Sequence, residues 1–165
     1  MKLARLLKPC RERACRVCRG ERGYHVRVIG EYFAARLAEI DEELVELGPE
    51  GRFETVSAKT HSVVTTGTLG EILGAGDSDE LTAQAETNWY GASDECGIDA
   101  IPTALRDALA ETTDLLRVAE RWTATDELQL SGWTVDETHE VLRRLAQLAA
   151  DARSSGRELW FYWSL

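Results

Sequence analysis

The chain has 165 residues, 44% of them hydrophobic and 29% charged, with a formal net charge of −10. At about 150 residues a domain buries roughly 68–70% of the surface its unfolded chain exposes, so one domain can form here without a disulfide or metal. No run approaches the ~20 consecutive apolar residues that a membrane helix needs, and Lys8 and Pro9 interrupt the opening before a signal-peptide core develops, so a cytoplasmic, membrane-free protein is expected.

Residues 1–23 carry eight Lys/Arg against two Asp/Glu, whereas residues 24–165 carry eleven against twenty-seven. The division is a basic, cysteine-containing arm of charge +6 and a single acidic α+β domain of charge −16. Such a body lacks the basic face that nucleic acid requires and is suited to a basic protein partner. Sixteen arginines against three lysines, with Asn88 the sole asparagine, indicate a GC-rich coding sequence. A start codon set too far upstream therefore competes with zinc binding and with simple flexibility as the explanation of the arm.

In chain order, Val26, Val28 and Ile29 read as a short strand. Phe33, Leu37, Ile40, Leu44 and Leu47 then recur at helical spacing, predicting a helix over 31–47 that Gly48-Pro49 stops. Residues 53–57 and 62–66 are rich in β-branched side chains and predict a hairpin turning at 58–61. Gly67, Gly70, Gly74 and Gly76 break the periodicity, and a helix is expected to start at Asp77-Ser78. A second long stripe, from Ile101 through Leu105, Leu109, Thr112, Leu116 and Ala119 to Trp122, predicts a helix over 101–122 with Pro102 at its start. Residues 127–131 alternate as a short strand. Thr134 and Glu137 form a capping-box pattern opening a helix over 134–153. The last strand, 158–164, has Leu159, Phe161 and Trp163 on one face and Trp160 and Tyr162 on the other, which places it centrally, covered on both sides. The expected fold is α+β: a small mixed sheet of four to five short strands packed on three longer helices.

Cys10, Cys15 and Cys18, with His25 as a fourth donor, could complete a tetrahedral zinc site, since zinc takes sulfur and nitrogen ligands and a CxxC pair spans one edge of the tetrahedron. His61 and Cys96 compete for the fourth position. Apart from zinc, no cofactor is expected. The glycines at 67–76 lack a Gly-Lys-Ser/Thr ending and do not indicate nucleotide binding. His61 lies among hydroxyl residues without a nucleophile elbow, and Asp94, Glu95 and Asp99 flank Cys96 in what reads as a polar loop. No catalytic residue is assigned.

The balance of charge favours a non-catalytic interaction protein of the inhibitor, immunity or antitoxin type. Its contacts would be Glu39, Glu42, Glu43 and Glu46 on one helix and Asp136 and Glu140 on another, with Trp89, Tyr90 and Trp160 as aromatic anchors. Two alternatives stand beside it: a small enzyme using the polar 60–100 region, and a zinc-binding regulatory module formed by the arm.

Overall fold

The computed structural model describes residues 29–58, 63–85, 88–90 and 95–164. The chain is α+β. Its strands are β1 (Ile29–Ala35), β2 (Thr55–Ala58), β3 (Asn88–Tyr90), β4 (Cys96–Ala100) and β5 (Glu158–Ser164), ordered β2-β1-β5-β4-β3. Every neighbouring pair runs antiparallel, so the sheet is not mixed as expected. The helices are α1 (Glu42–Leu47), α2 (Val63–Leu73), α3 (Ser78–Ala85), α4 (Thr103–Glu111), α5 (Leu115–Thr123), α6 (Asp126–Leu130) and α7 (Val135–Ser154).

β5 is the middle strand, flanked by β1 and β4 over almost its whole length. Side chains alternate across a strand, so Leu159 and Phe161 enter the core beneath α4, α5 and α7, while Trp160 and Tyr162 enter a second core beneath α1. β1 repeats the pattern, with Tyr32 and Ala34 on the first side and Phe33 and Ala35 on the second. Tyr32 meets Phe161 with ring centroids 4.8 Å apart and planes inclined by 49°, a tilted aromatic pair within the larger core.

That double coverage explains the largest departure from expectation. The segment 31–47 is not one helix but β1, a 3₁₀ turn at Leu37–Glu39 and the short α1. A strand apolar on both faces shows no period of two, and the helical spacing running through it was fortuitous: Leu37 and Leu47 are 56% and 62% exposed. Asp41 begins α1 afresh, its Oδ1 accepting the Leu44 amide at 2.8 Å. Gly48 does end it, at φ +80, with the Tyr162 ring so close that an added Cβ would lie 3.1 Å from it.

The expected hairpin is also absent. Residues 55–58 pair with β1, whereas 63–66 open α2. Gly67 and Gly70 lie inside that helix and let α3 pack closely on it: a Cβ on Gly67 would clash with the Thr82 hydroxyl and approach the Ser78 carbonyl to 2.7 Å, and one on Gly70 would clash with Leu81. The expected helix start at 77–78 is present as α3.

The 101–122 stripe is two helices. Thr112 closes α4 and Asp114 opens α5, its Oδ1 accepting the Arg117 amide at 3.3 Å. Residues 127–131 are not a strand: 127–130 belong to α6, with Leu128 buried and Leu130 90% exposed, and Ser131 caps it; five alternating residues were too few to set a period. α7 forms where expected, with the full capping box at Thr134 and Glu137. Among the described residues no helix is long and apolar enough to cross a membrane.

Gly67→Ala is expected to lower stability by about 1–3 kcal/mol, because the Ser78 carbonyl it meets is backbone and α3 must shift. Urea unfolding monitored by circular dichroism measures this, and an unchanged midpoint would refute the close α2–α3 packing.

Candidate functional site

The acidic residues named from the sequence fall on opposite faces of the sheet. Glu42, Glu43 and Glu46 belong to α1, over one face, while Asp136 and Glu140 belong to α7, over the other; Glu39, in the 3₁₀ turn, lines a pocket with the last turns of α7. They do not form one patch. On the α1 side Glu39 is partly occupied by its own turn, its Oε2 accepting the Arg36 amide at 2.7 Å. Arg52 then bridges inward, giving bonds of 2.7 and 3.0 Å to Asp41 and one of 3.2 Å to the Glu39 carbonyl. The Arg52 guanidinium and the Leu44 amide hold the Asp41 carboxyl below its ordinary value. Glu42, Glu43 and Glu46 are exposed on α1.

On the other side the start of α7 builds a groove. Its orientation is fixed from both ends of the first two turns: the Thr134 hydroxyl accepts the Glu137 amide at 3.2 Å, and Thr138, fully buried, donates to the Thr134 carbonyl and accepts from Thr123 of α5, each at 2.8 Å. Arg144, further along, donates to the Thr55 carbonyl at 2.9 Å, so α7 is tied to the edge strand β2. Between α7 and β2 lies a groove of about 440 Å³ lined by Ser57, Trp133, Asp136, Glu137, Glu140 and Val141. Trp133, 8% exposed, and half-buried Val141 form its apolar floor, and the three carboxylates form its rim.

The rim acids differ in availability. Glu137 is engaged by the cap, its Oε2 accepting the Thr134 amide at 3.1 Å and hydroxyl at 3.0 Å. Glu140 accepts a two-pronged pair from Arg143 at 3.0 and 2.8 Å, which holds its carboxyl below the ordinary value. Asp136 is exposed and makes no hydrogen bond or ion pair among the described residues.

The aromatic anchors divide differently. Trp160 is 3% exposed and its Nε1 donates to the Ala35 carbonyl at 3.1 Å, so it is a core residue and no surface anchor; the two-sided cover of β5 buries it. Trp89 and Tyr90 belong to the edge strand β3, opposite Ile98 and Gly97. Cys10, Cys15, Cys18, His25 and His61 lie outside the described residues. Cys96 and Asp99 are not in a loop: both are in β4, with Cys96 buried toward α1 and Asp99, 2% exposed, on the same sheet side as its neighbour Phe161. Among the described residues no group of three His, Cys, Asp or Glu side chains is placed to hold a metal ion. Trp133 is the groove residue that sequence reasoning missed; its position beside the Thr134 cap, where an apolar residue precedes a helix, was the available signal.

A second titratable group lies under α1. Glu31 sits on β1 opposite Ser57 and Tyr162, and burial, with Glu50 adding to it, raises its carboxyl above the ordinary 4.5 while the Ser57 hydroxyl works the other way. Burial, assisted by Cys96, pushes the Tyr162 phenol up to about 12. Comparison of the chain with protein families, with characterised proteins and with solved structures found no match.

Thr134→Ala is expected to cost about 1 kcal/mol of stability, since it removes the acceptor for the Glu137 amide, and thermal denaturation reads it directly. Because the folded-state value of Glu31 is raised, its contribution is intact below its ordinary value near 4.5 and is lost as pH rises through the folded value. Glu31→Gln should therefore raise the melting temperature at pH 7, with the difference from wild type shrinking toward pH 4. A variant equal to or less stable than wild type at pH 7 would contradict this.

Proposed function

We propose that the chain is a non-catalytic interaction protein that receives a basic segment of a partner protein in the α7 groove, in the manner of an inhibitor, immunity factor or antitoxin. The observation that supports this most is the apolar floor of Trp133 and Val141 inside a rim of Asp136, Glu137 and Glu140. A lysine or arginine matches both parts: its methylene stem covers the floor while its charged head meets the rim. An indole in the floor adds attraction for a cation placed over its face.

Desolvation decides why the groove is preferred to the α1 face. Carboxylates on an exposed helix in water gain little from pairing, commonly about 0–1 kcal/mol. An apolar cleft supplies burial energy of roughly 25 cal/mol per Å² in addition and excludes water from the ion pairs. The body's charge of −16 over residues 24–165 then steers a basic partner toward the molecule and repels acidic ones.

Double charge reversal in the groove, Asp136→Lys with Glu140→Lys, separates this reading from a general charge effect. A protein partner captured at about 0.05 M salt and released near 1 M should be lost with that variant and kept with Glu42→Lys/Glu43→Lys on α1. Retention by the groove variant, or equal loss with both, would overturn the assignment.

A further inference from the structure

Among the described residues, most arginines of the folded body have a protein acceptor: Arg52, Arg143 and Arg153 pair with carboxylates, Arg106 with Asp107, and Arg121 and Arg144 with backbone carbonyls. Arg36 and Arg117 are exposed to solvent. Arg157 is different. It is partly buried, its Nε is sealed from solvent with no hydrogen-bond partner, and its guanidinium makes no ion pair among the described residues. The Nε is closed off inside the protein, so what a ligand could meet is the rest of the guanidinium, which has no carboxylate partner among the described residues and belongs to a side chain that lines a pocket.

The backbone around it is held on both sides. The Arg157 amide donates to the Ala152 carbonyl at 2.8 Å, ending α7, and its carbonyl accepts Arg106 Nη1 at 3.0 Å. A clamped backbone carrying a planar cation that has no ion pair among the described residues is a preorganised carboxylate receptor, because the guanidinium fork matches two carboxylate oxygens. The side chain lines a pocket of about 260 Å³ between the last turns of α7 and the loop before β2. Leu148, Ala152 and Phe53 supply its apolar wall. Its other cation, Arg52, is already committed to Asp41.

The remaining lining selects the ligand. Half-buried Glu39 and exposed Glu54 and Asp151 line the same pocket, Asp151 accepting Gln147 Nε2 at 3.1 Å, and none of the three pairs with Arg157 among the described residues. They would repel a phosphate or a dicarboxylate. They would attract an ammonium group. The volume is below the ~300–1,000 Å³ of sites for drug-sized molecules, which limits the occupant to a few heavy atoms beyond its charged ends.

We propose that this pocket binds a small zwitterion of the α-amino-acid type, with its carboxylate on Arg157, its ammonium toward Asp151 and Glu54, and its side chain against Leu148 and Phe53. The pocket faces residues 148–157, roughly 18 Å along α7 from the groove at 136–141. The two readings therefore stand or fall separately.

Titration of the full chain with individual L-amino acids, followed by amide NMR shifts, tests it, with the amide and N-acetyl form of each amino acid and inorganic phosphate as comparison ligands. At least one amino acid should bind with Kd below about 1 mM. Capping either end should weaken it at least about tenfold, since each charged contact is then lost. Arg157→Gln should abolish binding, Arg157→Lys should weaken it, and Asp151→Asn should reduce the preference for the free amine. The capping comparison uses the unaltered chain, so it decides the matter even if an Arg157 variant fails to fold. Absence of saturable binding by every amino acid at about 10 mM would overturn the proposal, as would indifference to capping or tighter binding of phosphate.

Discussion

The fold depends on β5 being buried on both faces. Leu159 and Phe161 anchor the helical layer of α4, α5 and α7, and Trp160 and Tyr162 anchor the smaller layer made by α1. One seven-residue strand thereby joins two cores, as β1 beside it also does, while its hydrogen bonds to β1 and β4 hold the sheet between them. Large aromatics suit this position because each buries 150–250 Å², and the polar tip of Trp160 is satisfied by the Ala35 carbonyl. The Tyr162 ring also sets the end of α1, where only the side-chain-free Gly48 fits against it.

Charge is distributed around that frame in a way the net total conceals. Many acids are already used locally: Asp41 and Asp114 cap helices, Glu137 completes a capping box, and Glu111 and Glu140 pair with arginines. These contacts lie at the surface, where each is worth little and is screened by salt. They still decide which carboxylates remain open to a partner. At the start of α7 the open acid is Asp136, next to an indole and a valine, so a cleft of mixed character arises where the bare sequence offers a uniformly acidic helix.

α7 connects the two places where ligand chemistry is best supported. Its first turns meet β2 and carry the acid-rimmed groove; its last turns meet β5 and the pocket containing Arg157. Local polar contacts fix the helix in each region, with Thr138 bonded to Thr123 near the start and Arg153 paired with Glu111 near the end. A rigid helix with pinned ends is a sound support for sites, since positions on it vary less than positions on loops.

What could be read in advance follows a physical rule. Elements with one buried face declare themselves: α7 shows its apolar stripe and its Thr134–Glu137 cap, and both are present as read. The central, doubly covered position of β5 was also legible, because a run apolar at both parities bounded by Gly156 has few other solutions. The same double coverage made β1 unreadable, since it merged with the residues after it into an apparent helical stripe. The α2 segment failed for a related reason: its β-branched residues favour a strand locally, but Gly67 and Gly70 gain their meaning from α3 lying against them.

By itself the sequence determined the α+β class, the acidic body, the long capped helix and the buried closing strand, because each rests on local periodicity, capping chemistry or composition. Tertiary structure alone decided that the two acidic helices face away from each other, that Trp160 is core while Trp133 floors a groove, and that Arg157 has no ion pair among the described residues. Those outcomes depend on which residues far apart in the chain come to share a face, and no local pattern encodes the partner across the gap.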